Sequence, residues 1–254
     1  MIDYHCHLSV KEFKGKENPL RNRIEEYRKH LKLIIDSVAS IEDFERAISL
    51  KEKYPDFVYI SAGLHPIDSL EVKEKELENY MEKIKENRDK IIAIGEIGLD
   101  FYWIKENNKI EKSKEVFVEM LNFAKELKLP IVLHARNAIK EVLKIIIDND
   151  IKNAVFHYYD GKVKLAKEII KEGYFIGINS YIAKNNAIKA VAKEIPLEFL
   201  LSETDSPWCA INSEFNEPIN VKIVIEEISK LKNLSFEKVE SIIDENTLKF
   251  FNLI

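Results

Sequence analysis

The opening octapeptide, MIDYHCHL, sets two histidines two residues apart at the end of a short β-branched and aromatic run. Alternation along a strand sends His5 and His7 to one face and Tyr4 and Cys6 to the other. Two imidazoles on one face can chelate a divalent cation, but so short a pair needs further donors to become a site. Four more histidines, at positions 30, 65, 134 and 157, are the first place to look for them.

The elements that must position these residues show in the hydropathy pattern. Eight short apolar runs recur, at residues 2–7, 31–39, 57–65, 91–100, 130–136, 153–160, 174–180 and 199–207, each followed by a longer stretch of helical periodicity. That alternation predicts βα repeats on a parallel sheet, and eight strands are the number that closes a (β/α)8, or TIM, barrel. Within 112–129, Val116, Met120, Phe123, Ala124 and Leu127 recur at three- and four-residue steps, the single apolar stripe expected of an outer helix.

On this scaffold His5, His7, His65, His134 and His157 fall at or near the carboxyl end of a predicted strand, and only His30 does not. Glu96 in GEIGLD and Asp205 in SETDSP take the same kind of position on the fourth and eighth strands. Active sites of such barrels are built at that rim from several strands. Imidazoles and carboxylates gathered there need positive charge to hold them together, and a pair of divalent cations would supply it.

Bulk properties bound the rest. Hydrophobic residues at 46% and charged residues at 33% of 254 are those of a folded chain, and no low-complexity or Pro/Gly-rich linker divides residues 1–254. One barrel unit is therefore expected. No apolar run approaches the ~18 residues that cross a bilayer, and a strand beginning at Ile2 leaves no room for a signal peptide, so a cytoplasmic protein without a membrane partner is expected. Cys6 and Cys209 form no CxxC pair and read as free thiols. The net charge of −5 argues against a broad cationic surface for duplex DNA. Lys11, Lys14, Lys16, Arg21, Arg23, Arg28, Lys29 and Lys32 do cluster, but Glu12, Glu17, Glu25 and Glu26 are interleaved with them, as on a solvated face.

The longer motifs MIDYHCHL, SAGLHP, IAIGEIGLDFYW, PIVLHARNA, VFHYYDG, LLSETDSPW and NEPINV resemble, in order and spacing, the TatD-like metal-dependent deoxyribonuclease family of the amidohydrolase superfamily. The resemblance runs nearly end to end. It implies the same (β/α)8 fold and a site in which His5, His7, Glu96 and Asp205 bind one ion and Glu96, His134 and His157 a second, Glu96 bridging. The two divalent ions would be zinc, manganese or magnesium, imidazole favouring the softer metals. By the same resemblance His65 faces substrate or supports the ligands, and Arg136 is a candidate phosphate contact, with a structural ion pair as its alternative.

The implied activity is that of a deoxyribonuclease, 3′–5′ exonuclease-like, acting on nucleic acid at single-stranded DNA ends through a water activated by both metals. No obligate protein partner is expected. Asp205 would serve as ligand and general base, while Glu203, two residues earlier on the same strand face, and Asp100 are candidate orienting groups or plain rim carboxylates. Cys6 should face the helices, and Cys209 should lie near the pocket edge without acting as nucleophile. Two alternatives are a hydrolase of small esters or amides on the same scaffold and an inactive binding protein, the intact donor set weighing against the latter. The sequence departs from the family pattern at Tyr158-Tyr159, where many members read Cys-Phe, and lacks an Arg-Gly pair before Asn216-Glu217-Pro218. Neither change touches a proposed ligand.

Overall fold

A computed structural model describes residues 1–211 and 213–254, leaving Asn212 outside. Eight parallel strands follow one another around a single sheet: β1 (Ile2–Cys6), β2 (Leu33–Val38), β3 (Val58–Ala62), β4 (Ile91–Asp100), β5 (Ile131–Arg136), β6 (Ala154–Phe156), β7 (Phe175–Asn179) and β8 (Leu200–Glu203). Around them lie helices α1 (Ile24–Tyr27), α2 (Phe44–Lys53), α3 (Glu74–Glu86), α4 (Asn107–Leu127), α5 (Ile139–Asp148), α6 (Val163–Lys171), α7 (Asn186–Glu194), α8 (Val221–Lys232) and α9 (Phe236–Phe250). This is the (β/α)8 arrangement, and each strand falls inside the run predicted for it. Among the described residues no helix is long and apolar enough to cross a membrane.

The predicted stripe of α4 is buried at Val116, Met120, Phe123 and Ala124, against the outside of the sheet. Helix α4 starts five residues before the predicted segment, at Asn107, and ends where Lys128 turns to φ +54°. Part of the basic segment after β1 is ion-paired, within itself and with the loop after β8: Arg21 with Glu17, Arg23 with Glu26 and Glu217, Arg28 with Glu25, and Lys16 with Glu214.

The barrel interior is filled from below by Ile2, Tyr4, Ile35, Ala93, Val132, Val155 and Leu201, and the end of α9 closes the floor with Phe250 and Phe251. Tyr4 was expected on the outer face and lies inside. Asp3 pairs with Ile34 but Cys6 with Asp36, so three steps along β1 oppose two along β2 and the strand carries an extra residue. This bulge breaks the alternation and turns both Tyr4 and His5 inward, while Cys6 keeps its predicted outward position against Leu20, Ile24 and Tyr27. Space for the Tyr4 hydroxyl exists because residue 177 is glycine: a Cβ there would stand 2.0 Å from Oη.

A second bulge falls in β4, where Ile94 pairs with Ile131 and Ile97 with Leu133, so Gly95-Glu96 carries the extra residue. Ser61 Oγ donates to the Gly95 carbonyl at 2.8 Å and holds the irregularity in place. Beyond it, Gly98 has φ +147°, and a Cβ would meet the His134 carbonyl oxygen at 2.0 Å. Close approach of β4 to β5 thus depends on glycine at 98.

The seam between β1 and β8 closes at the upper end. Asp205 N–H donates to the His5 carbonyl at 2.9 Å and His7 N–H to the Ser206 carbonyl at 2.8 Å, while the buried Asp3 carboxylate accepts from Thr204 N–H and Oγ. Gly98→Ala should lower the unfolding free energy by about 2–4 kcal/mol through strain and forced separation of β4 from β5. Urea denaturation checks this, and an unchanged midpoint would mean that the two strands separate without cost.

Candidate metal centre

The expected donors gather on one face of the barrel, five of them near or just beyond strand ends and Glu96 from the bulge within β4. His5 comes from the β1 bulge, His7 lies one residue past β1, Glu96 is in the β4 bulge, His134 is in β5, His157 follows β6, and Asp205 lies two residues past β8. Burial is deep: His5 is fully covered and His7, Glu96 and His157 nearly so, while the Asp205 side chain keeps 15% of its surface.

The carboxylate of Glu96 is the hub. Its Oε2 lies 3.0 Å from His157 Nε2, 3.4 Å from His134 Nδ1 and 3.9 Å from His5 Nε2, and its Oε1 lies 4.0 Å from His7 Nε2. Asp205 Oδ1 faces the other side of the first pair, 3.2 Å from His7 Nε2 and 3.7 Å from His5 Nε2. The sets His5–His7–Glu96 and Glu96–His134–His157 each present ligand atoms within 4.8 Å of one another and share Glu96, and Asp205 groups similarly with His5 and His157.

Several of these atoms lack any protein partner. Both ring nitrogens of His5, Nδ1 of His134 and Nδ1 of His157 are buried without a hydrogen bond among the described residues. An unmet buried polar group costs about 1–3 kcal/mol, and the two of these atoms that face Glu96, His5 Nε2 and His134 Nδ1, are donors of the kind a divalent cation satisfies. The residues therefore fit a metal site.

Protein groups outside the cluster orient the rings. His7 Nδ1 donates to the Ser37 carbonyl at 2.8 Å, which leaves its Nε2 lone pair facing Asp205 and Glu96. Glu203, wholly buried, accepts the Tyr158 N–H with Oε1 and places Oε2 3.5 Å from His157 Nδ1. Asp100 Oδ2 lies 3.1 Å from His134 Nε2, and its Oδ1 accepts the N–H groups of Tyr102 and Trp103 at 2.8 Å each. Both carboxylates, left open between orienting group and rim residue on sequence, stand behind a histidine.

Electrostatics follow from burial and from these neighbours. Burial opposes charge on Glu96, but the close ring nitrogens of His134 and His157 outweigh it and hold the carboxyl well below the usual range. His5 is driven well below its ordinary value by burial and by the adjoining His157, which keeps its ring neutral. Burial also opposes a charged His157, yet Glu203 and Glu96 together raise it well above the ordinary histidine value.

His65, half-buried, stacks edge-on against His134 with centroids 4.4 Å apart and accepts from Ile67 N–H at 3.2 Å. Arg136 is exposed and has no carboxylate within 4.0 Å among the described residues; its guanidinium rests instead on the Tyr102 ring at 4.1 Å. Cys209 lies at the edge, its thiol donating to Asp205 Oδ2 at 3.3 Å, and burial together with that carboxylate pushes its pKa up, so it is no thiolate.

Sequence reading missed the groups that act through position alone. Asp36 Oδ1 accepts from Leu8 and Ser9 N–H at 2.8 and 3.1 Å and so fixes the turn that carries His7, and the Ser37 carbonyl holds the ring itself. A backbone carbonyl leaves no signal in residue type, and Asp36 sits inside an apolar run like any strand residue.

The family described as TatD related DNase matches residues 2–252. An uncharacterized metal-dependent hydrolase of Methanocaldococcus jannaschii is 39% identical over 98% of this chain and 96% of its own. Human deoxyribonuclease TATDN3 is 30% identical over 99% of this chain and 94% of its own. Among solved structures, the TatD homologue YJJV of Escherichia coli superposes with a TM-score of 0.89 at 27% identity, covering 99% of this chain and 98% of that one.

Replacing Glu203 by Gln removes the charge behind His157 while keeping its shape. Affinity for an ion at the Glu96–His134–His157 set should fall about 10- to 100-fold, read by calorimetric titration of metal-free protein with manganese or zinc. An unchanged titration would reduce Glu203 to a buried carboxylate with no hold on the site.

Proposed function

This chain belongs to the TatD related DNase family, and from that premise we propose that it is a metal-dependent phosphodiesterase, a deoxyribonuclease trimming single-stranded DNA ends in the 3′–5′ direction. The observation that carries the reading is the pair of donor sets sharing the buried Glu96 at the mouth of the barrel. Residues 1–254 are read as one catalytic barrel. We assign His5, His7, Glu96 and Asp205 to one ion and Glu96, His134 and His157 to another, with zinc, manganese and magnesium as the candidate metals.

Two divalent ions bound there would supply positive charge for the phosphoryl oxygens and acidity for an attacking water. The chain's own groups do the rest. Glu96 sets the separation of the two donor sets, because its carboxylate lies between their histidines. Asp205 Oδ1 is directed at His5 and His7, so Oδ2, whose neighbour is the neutral Cys209 thiol, is the atom free to take the proton of the attacking water. Arg136 presents an exposed guanidinium two residues from His134, where it can meet a substrate phosphate, and His65 borders the space above His134.

An end of a single strand suits a site sunk at the barrel mouth better than the middle of a duplex, whose backbone cannot descend between the loops. The first test is product analysis of end-labelled single-stranded oligonucleotide with magnesium or manganese, beside a chelated control. A metal-dependent ladder shortening from the 3′ end is expected; activity confined to small esters or amides would replace the nuclease reading with another hydrolysis on the same scaffold.

Two substitutions separate the assigned roles. Asp205→Asn should fold normally yet turn over ~10²- to 10⁴-fold more slowly, the loss expected for a general base, and near-normal turnover removes Asp205 from that role. Glu96→Ala should lower the metal content, measured by elemental analysis, from two ions toward one or none; an unchanged content defeats the shared ligand.

A further inference from the structure

Both tryptophans of the chain stand exposed, Trp103 at 60% and Trp208 at 40%, and each is tethered to the metal face. Trp103 lies in the turn after β4, whose N–H groups at 102 and 103 are held by the same Asp100 carboxylate that contacts His134. Its ring meets Tyr102 edge-on at 4.7 Å, and Arg136 lies over Tyr102 at 4.1 Å and 5.7 Å from Trp103. Trp208, three residues after Asp205, meets His7 edge-on at 4.8 Å and Phe13 at 6.0 Å.

The two rings come from opposite sides of the barrel. Trp103 and Arg136 belong to the β4–β5 side and Trp208 to the β8–β1 side, four strands around a ring of eight. An exposed indole thus stands on each of two opposite sides of the strand ring, one against the metal-face residue His7 and the other bordered by a guanidinium. Tyr and Trp rings joined to a polar rim are suited to contact a ligand, and flat rings interleaved with a cation fit the faces of nucleobases and the phosphates that join them.

We propose that Trp103 and Trp208 are base-stacking platforms on either side of the scissile phosphodiester, and that they select single-stranded over duplex nucleic acid. The inference rests on the phosphodiesterase reading above. In a duplex each base face is already stacked on its neighbour, so only an unstacked strand can offer bases to both rings while its phosphate reaches the centre between them.

The test uses the full-length, metal-loaded protein. Tryptophan fluorescence is followed as a phosphorothioate-linked dT12 is added, and Trp103→Phe and Trp208→Phe keep a stacking ring while leaving one indole to report each side. Quenching is expected in both. Trp103→Ala and Trp208→Ala should each weaken dT12 binding about 5- to 100-fold, as for one lost stacked base, and the Phe forms should restore most of it. In catalysis the loss should appear in KM for single-stranded DNA more than in kcat, and the preference over duplex should shrink. Unchanged affinity and unquenched indoles, in a protein that still hydrolyses both oligonucleotide and methyl p-nitrophenyl phosphate, overturn the platforms alone. A wild-type protein that hydrolyses neither and shows no quenching overturns the platforms and the phosphodiesterase reading together.

Discussion

Closure of the barrel seam is the constraint on which the site depends. His5 and Asp205 are separated by most of the chain, and they meet because the backbone beyond β8 hydrogen-bonds to the backbone of β1 at 205 with 5 and at 7 with 206. Beneath those bonds the buried Asp3 carboxylate accepts two bonds from Thr204. Burial pushes Asp3 well above its usual pKa against the opposing Thr204 and His5 bonds, the electrostatic consequence of placing a carboxyl where no water reaches. The seam is thus built of polar groups that satisfy one another only when the barrel is closed, and closure and assembly of the donor set are one event.

Above the seam the same economy of partners continues. A buried imidazole offers two nitrogens, and the fold turns one outward-facing nitrogen of His7, His134 and His157 to a protein oxygen: His7 and His134 hydrogen-bond the Ser37 carbonyl and Asp100, while His157 Nδ1 faces Glu203 at 3.5 Å. Among the described residues His5 has no such acceptor, and it is stacked on His157 with centroids 4.0 Å apart and 14° between planes. What remains facing inward is a set of lone pairs around one carboxylate, an arrangement whose mutual repulsion and lost hydration a cation offsets. Asp100 also links this interior to the rim, since its second oxygen shapes the turn that displays Tyr102 and Trp103.

The two bulges show how local irregularity is used. A regular β1 would bury His5 or Tyr4 in the lumen, not both, and a regular β4 would place Glu96 and its neighbours in strict alternation. The extra residue in each strand admits Tyr4 as filler beneath and His5 as donor above, and lets Glu96 project between β1 and β5. Glycine at 98 and at 177 supplies the room, one for the approach of β4 to β5 and the other for the Tyr4 hydroxyl.

Residue order determined the barrel, because the alternation of short apolar runs with 3.6-residue stripes is a local property that survives in the bare chain; the strand spans differ from their predicted runs mainly at the ends. It also determined which donors could stand together, since His5, His7, His134, His157 and Asp205 each sit near or just past a strand end, and parallel strands end on one face; Glu96 joins them from a bulge in the middle of β4. The tertiary structure alone decided the rest. Tyr4 faces inward because a bulge, a feature of pairing between β1 and β2, overrides alternation within β1. Glu203 and Asp100 stand behind particular histidines, Asp36 steadies His7, and both tryptophans reach the rim from opposite sides, through contacts between segments far apart in sequence. Periodicity encodes which face a residue takes within its own element; which partner it meets depends on how the sheet closes, and that is a property of the whole chain.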